Sequence, residues 1–155
     1  MLINSSQACV EIIDGIRTDL LIQPFADRIF VQITQLGKVG SLIQVSMPST
    51  VLLASNGVSD SSGHALPAPP AALQLMPLFG SASSEHLRSL HSLYAAQVAT
   101  LIWCAGGHTL GGSDRRSVIV GIALRRSTPT VEEGFDEHER KTFHETMRVL
   151  ASMLK

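Results

Sequence analysis

Apolar and polar residues alternate along the first third of the chain, a pattern that predicts β-strands. Two short strands are expected at Cys9 to Ile13 and Thr18 to Phe25, joined at Asp14-Gly15, a favoured pair for a tight hairpin turn. Further along, Ile29, Val31 and Ile33 share one face of an extended segment, and the apolar run resumes from Leu42 to Val45. Because short connections favour antiparallel neighbours, we expect these four strands to form an antiparallel meander, with a second hairpin between the last two.

In the middle of the chain the spacing of apolar residues changes to steps of three and four, which predicts a long helix. Ser84 is the expected N-cap, and Gly106-Gly107 is expected to end the helix. The residues on its principal stripe are Leu87, Leu90, Tyr94, Val98, Leu101 and Ala105. Because its second half is apolar nearly all round, this helix should be buried on more than one side. Trp103 then lies either in the core or against a partner.

Three further elements complete the predicted fold. Leu73 to Phe79 is a candidate fifth strand that Pro77 would confine to an edge of the sheet, and Ser117 to Leu124 reads as a central strand. A terminal helix should start at Asp136, with Phe143, Met147, Leu150 and Leu154 along one face. We therefore predict a single α+β domain over residues 1–155: an antiparallel, meander-like sheet of about six strands, covered by a long apolar helix and a C-terminal amphipathic helix.

The stretch from about Ser55 to Pro70 differs in composition from the rest of the chain. It is rich in Ser, Gly, Ala and Pro and has almost no large apolar side chain. Such a segment buries too little surface to offset its ordering entropy. We predict a flexible surface loop here. A polyproline ligand for another protein is the alternative interpretation.

Composition narrows the possible functions. Charged residues make up 16% of the chain and apolar residues 45%, so charge is low for a small domain. The apolar surplus fills either a dense core or an interface with a partner. The net charge is -1, and basic residues cluster only at Arg115-Arg116 and Arg125-Arg126, which gives no electrostatic basis for nucleic-acid binding. These arginine pairs either keep the strand ends solvated or meet an acidic partner surface.

The cysteine count and the hydrophobic runs indicate the compartment. Cys9 and Cys104 lie far apart and suggest no disulfide framework. The longest apolar run, Leu93 to Ala105, is interrupted by polar residues and is too short to span a bilayer, and the first ten residues do not resemble a secretory signal. We therefore expect a cytoplasmic or nuclear protein with reduced thiols and no membrane partner.

The most unusual local sequence is Thr34 to Leu42, Thr-Gln-Leu-Gly-Lys-Val-Gly-Ser-Leu. Turn chemistry accounts for Gly37 and Gly40, since glycine reverses the chain without a Cβ clash. It does not account for Thr34-Gln35 or Lys38. The string resembles that of the proteasome assembly chaperone 3 family, small non-enzymatic chaperones, and the order of strands, linker, helix, strand and helix is similar as well.

This resemblance implies a function. A member of that family would pair with a related chaperone subunit, as a heterodimer or as a homodimer in isolation, and hold an alpha-type proteasome subunit while the alpha ring forms. Gln35, Lys38 and Ser41, on the expected hairpin tip, are the candidate partner-binding residues. Lys38 is equally well explained as a solvated turn lysine.

Motifs of catalysis and cofactor binding are missing from the sequence. Gly37-Lys38 lacks the earlier glycine and the following helix of a phosphate-binding loop. The histidine pairs His86 with His91 and His138 with His144 do not have the four-residue spacing of a helical zinc site. We therefore predict no catalytic, cofactor-binding or metal-binding residues. The alternative function is a small α+β ligand-binding domain or enzyme with a pocket under its Gly-rich loops, which would need convergent polar residues in a concavity.

Overall fold

A computed structural model describes residues 4–51, 53, 66–106, 115–126 and 134–155. In these residues the chain forms six strands and two helices. The strands are β1 (Gln7–Ile13), β2 (Ile16–Pro24), β3 (Arg28–Thr34), β4 (Ser41–Ser46), β5 (Gln74–Phe79) and β6 (Ser117–Ala123); the helices are α1 (Glu85–Ala105) and α2 (Glu137–Met153). The predicted α+β class, with one long helix and one C-terminal helix, is confirmed.

The strands form one sheet in the order β1-β2-β3-β6-β4-β5. Every neighbouring pair is antiparallel except β3 and β6, which run parallel. The central position of β6 and the edge position of β5 agree with the sequence analysis. Pro77 is tolerated in β5 because a strand at the edge has one side with no ladder to complete.

The first predicted hairpin is confirmed, whereas the second is wrong. Asp14 and Gly15 have φ angles of 49° and 74°, the left-handed pair that a tight hairpin between twisted strands requires. β3 and β4, by contrast, are not neighbours, because β6 lies between them and pairs with both. The connection from Thr34 to Ser41 therefore crosses the end of β6. Sequence distance favoured direct pairing, but β6, a strand rich in β-branched residues, lies between them in the middle of the sheet.

Both helices pack on the same side of the sheet. α1 lies against β6, β4 and β5, and α2 lies against α1 and β1. We call this side the covered face. Its side chains fill the core, and seven apolar strand residues there have 0% exposure: Ile22, Ile29, Val31, Ile33, Val45, Val118 and Val120.

The helix ends are capped as the sequence predicts. The Ser84 hydroxyl accepts a hydrogen bond from the Leu87 N–H at 3.2 Å, and Gly106 is the C-cap of α1. At the start of α2, Asp136 and Glu139 form a reciprocal capping box. Trp103 is 1% exposed and its Nε1 donates to the Arg116 carbonyl at 2.9 Å, so it is a core residue. Its interpretation as a partner contact is therefore wrong.

Two predicted loops fall largely outside the described residues. One is the flexible loop predicted at Ser55 to Pro70, and the other is His108 to Arg116, one of the Gly-rich loops of the alternative function. Of the first, the end from Leu66 to Pro70 is described, and there the Gln97 side chain donates from Nε2 to the Pro67 carbonyl at 2.8 Å. Cys9 and Cys104 are both free thiols. Neither helix in the described part of the chain is long and apolar enough to cross a membrane.

Candidate protein-interaction surfaces

The unusual sequence string forms a loop that bridges three strands. We call Gln35 to Gly40 the crossing loop, since it passes from β3 over the end of β6 to β4. Two strand spacings, about 10 Å, separate its ends, compared with about 5 Å for a hairpin. The Thr34 hydroxyl accepts hydrogen bonds from the N–H groups of Leu36 and Lys38, both at 3.2 Å. This is the reason for a threonine at the end of β3: its oxygen fixes the first turn of the loop.

Gln35 connects the crossing loop to the strands on either side of β3. Its backbone N–H donates to the Ala123 carbonyl at 2.8 Å, and its side-chain Oε1 accepts from the Arg125 N–H at 3.0 Å. Its Nε2 donates to the Thr18 hydroxyl of β2 at 3.1 Å. Both ends of the amide are thus engaged within the chain. Gln35 was predicted as a partner-binding residue, and its observed contacts are those of a residue that holds the loop in position.

The glycines of the loop serve different purposes. Gly37 has φ 65° and an added Cβ would meet nothing within 4 Å, so the backbone turn alone calls for glycine there. Gly40 has φ 69°, and an added Cβ would lie 2.1 Å from the carbonyl oxygen of Ile122. The loop can pass this close to β6 because Gly40 has no side chain. On β3, Gln32 donates from Nε2 to the carbonyls of Lys38 at 3.3 Å and Val39 at 3.2 Å, which holds the loop from the other side.

The side chains between these anchors face solvent. Lys38 is exposed, while Leu36 and Val39 are each 46% exposed. Ser41 is half-buried at the start of β4. Two of the predicted partner-binding residues, Lys38 and Ser41, are thus accessible. The crossing loop presents the apolar side chains of Leu36 and Val39 beside the charged Lys38.

Lys38 and Ser41 also line an open cleft of about 640 Å³. We call this the basic cleft. Its wall comprises the crossing loop, the Gly80–Ser83 connection, the start of α1 and the chain that leaves β6. Its basic side chains are Lys38, Arg125 and Arg126, and no Asp or Glu is among its lining residues in the described part of the chain. Burial lowers the pKa of His91, a further lining residue, which therefore stays neutral at neutral pH.

The second candidate surface is the side of the sheet opposite the helices, which we call the open face. The strand registers align its residues in rows across the sheet, among them Leu21, Gln32, Gly121 and Leu42 in one row. Its apolar members include Val10, Leu21, Phe30, Leu42, Met76, Phe79 and Ile119. At the edges, Val10 is 56% exposed, Met76 58% and Phe79 67%. No helix of the described chain packs on this face.

Polar groups on the open face are mostly neutral or paired. Gln23, Gln32 and Gln44 lie among the apolar side chains. Two ionised pairs flank this region: Arg17 and Asp19, whose Nε and Oδ1 are 3.0 Å apart, and Asp27 with Arg28. Hydrogen bonding to Arg28 lowers the pKa of Asp27, so both members of that pair remain charged at neutral pH. Low charge density with interspersed amides is typical of the central part of a protein interface.

A sequence signal for the open face exists, although the sequence analysis did not use it. Three strand segments are continuously apolar: Leu20-Leu21-Ile22, Ile29-Phe30-Val31 and Val118-Ile119-Val120. A strand that is buried on one face only would instead alternate apolar and polar residues. Continuous runs are typical of strands that are covered on both faces. Here the second cover is not supplied by the described residues of the chain. The pattern is therefore typical of strands whose open face is also covered.

The remaining polar clusters stabilise the fold. His86 Nε2 lies 2.8 Å from Glu139 Oε1 and connects the starts of the two helices. Asp14, at the first hairpin turn, contacts His138 and Lys141 of α2. Arg115 and Arg116, predicted to keep the strand end solvated, donate to the carbonyls of Pro48 at 3.1 Å and Phe25 at 2.6 Å. Within the described residues, His, Cys, Asp and Glu form no group that could hold a metal ion.

Comparisons with known proteins give one informative likeness. No protein-family model matches the chain. No curated protein matches it either. Among solved structures, the chain is similar to a chain of the crystal structure of a novel chaperone complex for yeast 20S proteasome assembly, with a TM-score of 0.51 and 13% sequence identity. The likeness covers 98% of this chain and 100% of the other. The chain therefore shares its fold with a component of a proteasome assembly chaperone complex.

Proposed function

We propose that this protein is a non-enzymatic assembly chaperone of the proteasome assembly chaperone 3 family. In this proposal it pairs with a related chaperone subunit, holds an alpha-type subunit while the proteasome alpha ring forms, and works in the cytoplasm or nucleus. The observation that carries the proposal is the open face, an apolar side of the sheet on which no helix of the described residues packs, in a fold shared with a component of a chaperone complex.

The open face suits a lasting contact. Six strands about 4.8 Å apart and about 20 Å long give an area of roughly 500 Å². A standard interface takes about 800 Å² from each partner, so nearly the whole face and its rim would be needed. A related subunit with the same fold would supply a matching apolar sheet. When two such sheets stack about 10 Å apart, the side chains of Phe30, Leu42 and Ile119 become buried between them.

The crossing loop suits a transient contact. Lys38 and Ser41 are accessible on a loop that Gln35, Gln32 and Thr34 hold in place, so little ordering entropy is lost when a client binds. A small polar contact of this kind releases its client readily when later subunits compete for it. In this proposal Lys38 and Ser41 contact the alpha-type subunit and Gln35 positions the loop.

The alternative function, a ligand-binding domain or enzyme, is favoured by one observation. The basic cleft, at about 640 Å³, has the volume of a small-molecule site, and Gly40 and Gly80 contribute to its wall. Among the described residues its lining includes His91 and three serines, but no cysteine and no carboxylate. A binding role without catalysis is the form of this alternative that fits the residues.

The proposal is tested by affinity purification of the tagged protein from its own cells at moderate salt, with mass spectrometry of the retained proteins. We expect a second small chaperone together with alpha-type subunits, and no mature core particles. Recovery of the protein alone would contradict the proposal and favour ligand screens.

Two variants separate the proposed surfaces in the same experiment. Lys38→Glu should lose the alpha-type subunit and keep the chaperone partner. The matched control is Arg148→Glu, the same change of charge at an exposed position of α2, which should retain both. Equal loss in the two variants would show that net charge, and not the crossing loop, decides client binding.

A further inference from the structure

The basic cleft concentrates positive charge in a chain that is almost neutral overall. The protein has a net charge of -1, yet Lys38, Arg125 and Arg126 border one concavity in which no carboxylate is a lining residue of the described chain. Like charges that border the same cleft repel one another. An arrangement of this kind is expected where an anionic partner compensates the repulsion.

Contacts within the chain hold the three cationic residues in place. Arg126 donates from Nη2 to the Ser83 hydroxyl at 2.6 Å, which orients its guanidinium beside the start of α1. The backbone of Arg125 is fixed by Gln35 at 3.0 Å, and that of Lys38 by Gln32 and Thr34. The side chains of Lys38, Arg125 and Arg126 are exposed. The cleft is thus assembled before a ligand arrives, which lowers the entropic cost of binding.

Apolar side chains line the same cleft. Leu36, Leu87 and Leu124 contribute to its wall, and Leu36 is 46% exposed. A small inorganic anion would use the cations and leave this apolar surface in contact with water. An extended peptide presents successive side chains to opposite sides, so a segment that mixes acidic and apolar residues can pair with both parts of the wall.

We propose that the basic cleft binds an extended acidic segment of the client protein, whose carboxylates pair with Lys38, Arg125 and Arg126 and whose apolar side chains contact the leucines of the wall. This inference rests on the proposed function for the identity of the client, and it names the chemistry of the client contact. Nucleic acid is disfavoured as the occupant because no Phe, Tyr or Trp of the described chain lines the cleft to stack with bases.

The test is fluorescence anisotropy with the purified full-length protein. The probe is a short labelled peptide that alternates glutamate with leucine; matched peptides carry glutamine or lysine in place of glutamate. We expect binding of the glutamate peptide, at least about tenfold weaker binding of the glutamine peptide, and no binding of the lysine peptide. Added salt should weaken the interaction. Equal affinity for the glutamate and glutamine peptides would overturn the inference.

Variants locate the binding site. Arg125→Glu should reduce affinity for the glutamate peptide at least about tenfold, while Arg148→Glu, the matched charge change on α2, should leave it within about twofold. Circular dichroism checks that both variants fold; Arg125 is exposed and only its backbone N–H is used in the loop contact, so folding is expected. If Arg125→Glu does not fold, Lys38→Ala tests the same site. Equal losses at Arg125 and Arg148, or binding of inorganic phosphate that competes fully with the peptide, would overturn the proposal.

Failure of the acidic-segment site can be distinguished from failure of the proposed function. Peptide binding that requires Arg125, combined with no proteasome subunit in the affinity purification, would retain the acidic-segment site and reject the assembly role. Recovery of alpha-type subunits with wild-type protein and with Arg125→Glu alike, and no peptide binding, would retain the assembly role and reject this site.

Discussion

The two faces of the sheet have similar apolar content and different surroundings. On the covered face, Val31, Val118 and Val120 are fully buried beneath the helices. On the open face, the adjacent residues Phe30 and Ile119 are half-buried. The same strands therefore supply a core on one side and, on the other, an apolar surface on which no helix of the described residues packs. One set of alternate positions in these strands thus serves fold stability, and the other set is the one to which we assign partner binding in the proposed function.

Placing a lysine on each face is the sharpest test of this comparison. Val118→Lys puts an unpaired charge at a position with 0% exposure, which costs several kcal/mol, comparable with the whole stability of a small domain. We expect the variant to be unfolded or aggregated, as judged by circular dichroism. A cooperative thermal transition near that of the wild type would contradict the description of the covered face.

A substitution in the crossing loop should give the next largest loss of stability. Gly40→Ala should destabilise the protein by at least about 2 kcal/mol, because the methyl group would clash with the Ile122 carbonyl in a backbone conformation with positive φ. Gly37→Ala is the matched control, with a similar φ and open space, and should cost only about 1 kcal/mol. Urea denaturation measures both. Equal losses would mean that the approach of the loop to β6 is unimportant.

On the open face, Ile119→Lys is the counterpart of Val118→Lys. Its lysine can reach solvent in the isolated chain, so the free energy of unfolding should change by less than about 1 kcal/mol. Binding of the chaperone partner that we propose should weaken by about 2 kcal/mol or more, since a charge would be buried at the centre of the proposed interface. Size-exclusion chromatography of the protein with its copurified partner measures the loss. Retention of the complex would place the interface elsewhere.

The smallest expected effect concerns His91 on α1, which lines the basic cleft. Burial lowers its pKa below the ordinary 6.5, so the unfolded chain takes up a proton more readily than the folded one. This contribution to stability is complete above about pH 6.5 and is lost as the pH falls through the lowered pKa. We expect the melting temperature of the wild type, measured from about pH 7.5 to about pH 5.5, to fall more than that of His91→Gln. The other five histidines are common to both proteins, so the comparison isolates His91.

Much of the fold could be predicted because it follows from local chemistry. Asp14-Gly15 closes a tight turn, Ser84 and Asp136 cap their helices, and Pro77 keeps β5 at an edge. Each of these features depends on the backbone requirements of a few consecutive residues, and such requirements can be recognised from the sequence. The periodicity of α1 and α2 is local in the same sense.

The tertiary structure alone decided the strand order and, with it, the candidate site. Thr34, Gln35 and Gly40 belong to a string that resembles that of a known family. Their contacts depend on the position of β6 between β3 and β4, which the sequence did not predict. Arg125 and Arg126 reach the neighbourhood of Lys38 for the same reason, across almost ninety positions of sequence. Pairing between distant strands depends on the total burial of the sheet and its helices, a quantity that no short stretch of residues contains. The sequence thus determined the elements and their ends, and the packing of those elements determined which side chains meet.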